Sequence, residues 1–170
     1  QFGFMWGDLN ELDYPQKYDC IFLNHLIFYL ENQTGTYTRL KSYLNPGGRM
    51  ITTWGGLLLA ENLMTLLCEH APEEQKLIKA HFMELKKEME QREKELKQVF
   101  SEVALYKYPA VLHFETAKEM VDYLEPVAKK LGVNISDGMP SFEKFLEEKF
   151  MEIGEEFHIV RDGYLYVCKG

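Results

Sequence analysis

Tyr18-Asp19-Cys20-Ile21-Phe22-Leu23, then Thr36 to Leu44, then Asn45-Pro46-Gly47-Gly48, then Arg49-Met50-Ile51-Thr52-Thr53-Trp54: this stretch decides the fold. Its first piece is a continuous apolar run of strand length. Strands apolar on both faces belong in the middle of a parallel sheet covered by helices. The second piece places Tyr37, Leu40 and Leu44 at helical spacing. Asn45-Pro46-Gly47-Gly48 stops that helix, because proline cannot continue it and glycine tolerates positive φ. Arg49 to Trp54 is a further strand. Strand, helix, Pro-Gly-Gly turn and strand make a βαβ crossover, so the sheet is parallel here and the class is α/β.

Upstream, Phe2 to Trp6 reads as a short buried strand ended by the turn Gly7-Asp8. Downstream, Leu57 to Glu69 is an apolar helix broken by Pro72. Glu73 and Glu74 then sit at the favourable start of a long charged helix, Glu73 to Val99. That helix carries seven acids and seven bases from Glu73 to Lys97. Its apolar residues Ile78, Phe82, Leu85, Met89, Leu96 and Val99 step by fours and threes, with Arg92 interrupting. Three readings follow: an amphipathic helix on its own domain, a lid over a substrate pocket, or a homodimer seam.

Val103 to Tyr108 and Val111 to Phe114 are β-like segments around Pro109. Thr116-Ala117-Lys118-Glu119 is a capping box that opens a helix to Lys130. Gly132 to Pro140 reads as a loop, and Ser141 as the cap of a short helix to Lys149. At the end, Asp162-Gly163 lies between Phe157-His158-Ile159-Val160 and Tyr164-Leu165-Tyr166-Val167-Cys168. Asp-Gly between apolar runs predicts a hairpin.

The 170 residues carry 19 basic and 27 acidic side chains, a net charge of −8, with 46% hydrophobic and 27% charged residues. That is a globular composition. The charge argues against nucleic acid as a partner, since phosphate contact needs a basic face. Cys20, Cys68 and Cys168 are far apart, with no CxxC and no Cys/His cluster. They imply no metal site and no disulfide framework, and read as thiols in a reducing cytoplasm. No apolar run is long enough to span a membrane.

Parallel α/β sheets bind ligands beyond the carboxyl ends of their strands. Three such ends are visible: Gly7-Asp8-Leu9, Asn24-His25 and Trp54-Gly55-Gly56. A carboxylate after the first suits a neutral donor such as an amino group or a hydroxyl; its plainer role is to cap a turn. His25, with an ordinary pKa of about 6.5, is placed to act as a general base or as a positioning residue. Tyr29, Trp54, Tyr106 and Tyr108 are candidates for an aromatic pocket, and aromatics in strands are also core formers. His113 and His158 lie within apolar strands and read as structural; His70 and His81 lie on charged helices.

Gly7-Asp8-Leu9-Asn10-Glu11-Leu12, Tyr18-Asp19-Cys20-Ile21-Phe22-Leu23-Asn24-His25-Leu26 and Leu40-Lys41-Ser42-Tyr43-Leu44-Asn45-Pro46-Gly47-Gly48-Arg49 resemble, in order and spacing, the later motifs of class I S-adenosylmethionine-dependent methyltransferases. The resemblance implies a Rossmann-like sheet ending in antiparallel strands, supplied by the closing hairpin. It implies S-adenosyl-L-methionine as cofactor and a small-molecule acceptor. Asp8 would accept from the adenine amino group, and the Leu9 N–H would meet an adenine ring nitrogen. Asn24 and His25 would lie near the methionine end and the transferred methyl. Leu26, Phe28 and Tyr29 would form the acceptor entrance, with Trp54 and Tyr108 as further lining.

The family's glycine-rich loop and its ribose-binding acid precede the Gly-Asp motif. Only six residues precede Gly7 here, and no GxGxG occurs. The expectation is therefore a C-terminal part of such an enzyme. Residues 1–56 and 115–170 would be a partial core, and 57–114 a helical insertion serving as lid or specificity region. The competing expectation is a non-catalytic remnant or interaction module that uses helix 73–99 to bind a partner or a second copy.

Overall fold

The structure, a computed structural model, describes residues 7–9, 11, 16–133 and 139–170. The expected strand Phe2 to Trp6 lies outside the described residues. Contacts divide the chain into two compact units. The first holds 1–55, 90–107 and 164–170; the second holds 56–89 and 108–163. Residues 57–114 do not form one insertion, because 90–107 pack with the first unit.

In the first unit, β1 (Tyr18–Asn24) pairs in parallel with β2 (Leu44–Gly55). Helix α1 (Gln33–Ser42) makes the crossover, so the βαβ reading holds. Asn32 caps α1, its side chain accepting from the Gly35 N–H at 2.9 Å. The Pro-Gly-Gly stretch is part of β2 rather than a loop before it. Tyr18 faces Leu44 and Cys20 faces Arg49, so five steps on β2 match two on β1. The surplus is taken up at Asn45–Gly48, where Gly47 has φ +79°. The Asn45 side-chain amide donates to Asp19 Oδ1 at 2.8 Å and pins the bulge. Beyond it, register is regular through Asn24 opposite Thr53.

Helix α3 (Gln75–Val99) and strands β3 (Glu102–His113) and β4 (His158–Lys169) run through both units. The sheet order is β1-β2-β4-β3. β4 is antiparallel to β3: Lys169 pairs with Glu102 at 3.1 Å, and the Phe114 N–H donates to the Phe157 carbonyl at 2.7 Å. The expected hairpin at Asp162-Gly163 is absent; β4 passes straight through it. Gly163 has no positive φ, which the tight Asp-Gly turn requires. Instead the Gly56 N–H donates to the Asp162 carbonyl at 2.9 Å, and the Leu58 N–H to its carboxylate at 2.9 Å. The antiparallel partner of β4 is β3, which contains Pro109. A proline fits there because β3 is an end strand of the sheet among the described residues.

The first unit buries Leu23, Tyr37, Met50, Trp54, Leu96 and Tyr166. Trp54 stacks on Tyr166, ring centroids 4.3 Å apart and 22° from parallel. The Tyr166 hydroxyl donates to Glu93 on α3 at 3.0 Å. Lys41 donates to the Val99 carbonyl at 2.8 Å, satisfying an end carbonyl of α3 with a cation.

The second unit packs α2 (Leu58–His70), α4 (Ala117–Lys130) and α5 (Met139–Ile153) around Leu63, Leu67, Met120, Leu124, Phe142 and Leu146. Thr116 caps α4 as expected, accepting from the Glu119 N–H at 3.1 Å, and Glu119 accepts from the Glu115 N–H at 2.9 Å. Gly132, at φ +73°, closes the same helix, and a Cβ there would stand 2.4 Å from the His81 ring. Ser141 is not a cap. The helix already includes Met139 and Pro140, and proline is tolerated in a first turn. The Ser141 Oγ lies 3.4 Å from His70 Nε2. Along α3, Ile78, Met89 and Leu96 are buried within this chain.

Candidate functional site

β1 delivers Asn24 and His25 to the carboxyl edge of the parallel pair, and β2 brings Thr53 beside them. The backbone turns sharply here. His25 is the one described non-glycine residue with positive φ, at +53°. Such residues are uncommon outside glycine and cost energy unless their surroundings hold them. Thr53 provides the hold: the His25 N–H donates to its carbonyl at 3.0 Å, and its hydroxyl donates to Asn24 Oδ1 at 3.3 Å. A single turn of 3-10 helix, Ile27–Tyr29, follows. Ile27 is fully buried and anchors it, while Tyr29 is 75% exposed.

A cavity of about 440 Å³ runs along β1. Gly7, Leu9, Cys20, Phe22, Leu26 and Leu40 are in its wall. It therefore joins the Gly-Asp-Leu segment to the residue that follows Asn24-His25. Arg39 on α1 donates to the Leu9 carbonyl, and the Glu11 N–H donates to the Asp8 carbonyl at 3.1 Å. These bonds place 7–9 against the rest of the unit. Asp8 is exposed.

Leu9 and Leu26 line the cavity; Asp8, Asn24, His25 and Tyr29 are close to it in sequence and are not in its wall. Phe28 belongs to the 3-10 turn, and its side chain is outside the described set. Trp54 is 0% exposed and packed face to face on Tyr166, so no ring surface is left for an acceptor. Tyr108 lies in the second unit, half-exposed and opposite Gly163.

Cys20, Phe22 and Thr53 were not singled out by the sequence. β1 is an end strand among the described residues, and Phe22 is 62% exposed rather than covered on both faces. The apolar run Cys20-Ile21-Phe22-Leu23 does not alternate, so the sequence carried no signal for which of these side chains line the cavity. Thr53 had none either, because its role depends on register. Cys20, Cys68 and Cys168 are free thiols. Among the described residues no group of three or more His, Cys, Asp or Glu could hold a metal ion, and no helix is long and apolar enough to cross a membrane.

No protein-family model matches the chain, and no curated protein sequence matches it.

Proposed function

We propose that this protein transfers a methyl group from S-adenosyl-L-methionine to a small-molecule acceptor, and that its sheet is the C-terminal part of a Rossmann-like methyltransferase sheet. The observation that carries the reading is the edge of β1. There the Gly7–Leu9 segment and an apolar-walled cavity lie along a parallel strand whose carboxyl end carries the left-handed His25 turn. The antiparallel pairing of β4 with β3 beside that pair supports the same reading.

The residues fit the cofactor in chemistry. Asp8 is an exposed acceptor for an amino group. The Leu9 carbonyl is occupied by Arg39, and its N–H makes no hydrogen bond among the described residues. When bound, the cofactor supplies an already activated methyl. The protein's task is then alignment, which in favourable intramolecular models is worth about 7–11 kcal/mol. His25 is exposed at this edge and takes the acceptor's proton where the acceptor is an oxygen or nitrogen. The net charge of −8 favours a small molecule over a nucleic acid as acceptor. Three free thiols suit a reducing cytoplasm.

The interaction-module reading finds less support, because Ile78, Met89 and Leu96 of the α3 stripe are already covered by this chain. The test is calorimetry of the full-length protein with S-adenosylmethionine. Saturable binding is expected, weakened by Asp8→Ala by about 1–3 kcal/mol through a lost hydrogen bond. No detectable heat with the wild-type protein overturns the reading.

A further inference from the structure

We infer that Thr53 is a positioning residue, and that it fixes Asn24 so that a ligand's hydrogen-bond acceptor, in particular the amino-acid carboxylate of the cofactor, is what Asn24 meets. The inference rests on the methyl-transfer reading. It starts from register. Asn24 and Thr53 are directly paired residues of the parallel ladder, the last pair before the edge. Their side chains emerge on the same side and meet, the Thr53 hydroxyl donating to Asn24 Oδ1 at 3.3 Å.

A side-chain amide has one acceptor oxygen and two N–H donors. With the oxygen engaged by Thr53, the group left facing outward is the NH2. Asn24 is exposed at the strand end, and its amide nitrogen has no partner among the described residues. An acceptor oxygen satisfies such a donor, a carboxylate most strongly because it is charged, and an ammonium does not. Thr53 also holds the other half of the pair. Its carbonyl takes the His25 N–H at 3.0 Å and so supports the left-handed turn that sets the imidazole's starting point. One residue thus sets both Asn24 and His25, the first by its side chain and the second by its backbone. Only the first contact is lost when the hydroxyl is removed.

The experiment uses full-length protein and three forms: wild type, Thr53→Val and Thr53→Ser. Each is titrated with S-adenosylhomocysteine, which has the amino-acid carboxylate, and with 5′-methylthioadenosine, which lacks it. The expected result is that Thr53→Val weakens the first ligand by about 3- to 10-fold, leaves the second unchanged, and that serine restores wild-type affinity. Thr53→Val binding S-adenosylhomocysteine like wild type overturns the inference. So does equal weakening of both ligands, or a serine variant as weak as valine.

NMR of the Asn24 side-chain NH2 in ligand-free protein separates the two failures. Resonances that move in valine but not in serine establish the contact even if wild type binds neither nucleoside. In that case the methyl-transfer reading falls, and with it the ligand assigned to Asn24. Resonances unchanged in valine overturn the contact itself.

Discussion

Tyr108 on β3 lies directly over Gly163 on β4, so close that a Cβ at residue 163 would stand 2.1 Å from Tyr108 Cζ. The glycine is there because an aromatic ring from the next strand occupies the space a side chain would need. Gly163→Ala is expected to push the half-exposed Tyr108 ring tip aside, at a cost below about 1 kcal/mol. Urea unfolding measures it. The double variant with Tyr108→Ala should recover part of the loss relative to Tyr108→Ala alone, since the clash is then gone. Additive costs would show that the two residues do not press on each other.

The three thiols should separate by reactivity. Cys20 is part-exposed in the cavity wall, whereas Cys68 and Cys168 are buried. Burial also pushes the Cys168 thiol up to about 12. The thiolate is the reactive form, so Cys168 is doubly protected. Alkylation of native protein followed by mass spectrometry is expected to modify Cys20 first and the other two only in denaturant. Early modification of Cys168 would contradict the packing of the first unit.

The Thr116 cap is a local feature, and removing it should act locally. Thr116→Ala is expected to cost about 1 kcal/mol, near the middle of the range for lost helix caps. Thermal or urea unfolding reads this. The loss should be smaller in Thr116→Ser, which keeps the accepting oxygen. A neutral alanine variant would mean that the Glu119–Glu115 bond alone holds the helix start.

These cases show what could be read from the sequence. The Thr116 cap was legible because cap, acceptor and amide all lie within four residues. The βαβ stretch was legible because its apolar runs, helix spacing and turn are adjacent. Asp162-Gly163 was misread because its letters carry two meanings. They make a tight turn in isolation, but opposite Tyr108 the glycine makes room for a ring and the aspartate receives the Gly56 and Leu58 N–H groups. Trp54 was placed at the correct strand end, yet sequence period does not say which face of a strand is covered; Tyr166, more than a hundred residues later, decides it. At the edge of β1, the placing of Asn24 and His25 follows from their position after a strand. That of Thr53 does not, because its pairing with Asn24 is set by the surplus residues absorbed at Asn45–Gly48.

Glu93 links α3 to the aromatic stack of the first unit and makes part of that packing sensitive to acid. Its carboxylate accepts from Lys97 and from the Tyr166 hydroxyl, and these bonds, the Lys97 bond foremost, hold its pKa below the ordinary value. In the unfolded chain the carboxyl titrates at about 4.3. A folded value below the unfolded one means that the unfolded state takes up protons first as pH falls. Glu93 therefore contributes stability that is fully present above the unfolded value and is lost as pH drops through the folded one. Its side chain is 32% exposed, so the contribution is screened and modest. Tyr166 moves the opposite way, since burial and the Glu93 charge push its hydroxyl up, so it remains a donor throughout the neutral range. NMR titration of the Glu93 carboxyl is expected to show a depressed midpoint in wild type. That midpoint should rise in Lys97→Gln, and by less in Tyr166→Phe. The Glu93→Gln variant should be less stable than wild type at pH 7 and should lose less on acidification. An ordinary midpoint in wild type, unmoved by either substitution, would detach Glu93 from the stack and leave Tyr166 held by its ring contacts with Trp54 and Tyr164.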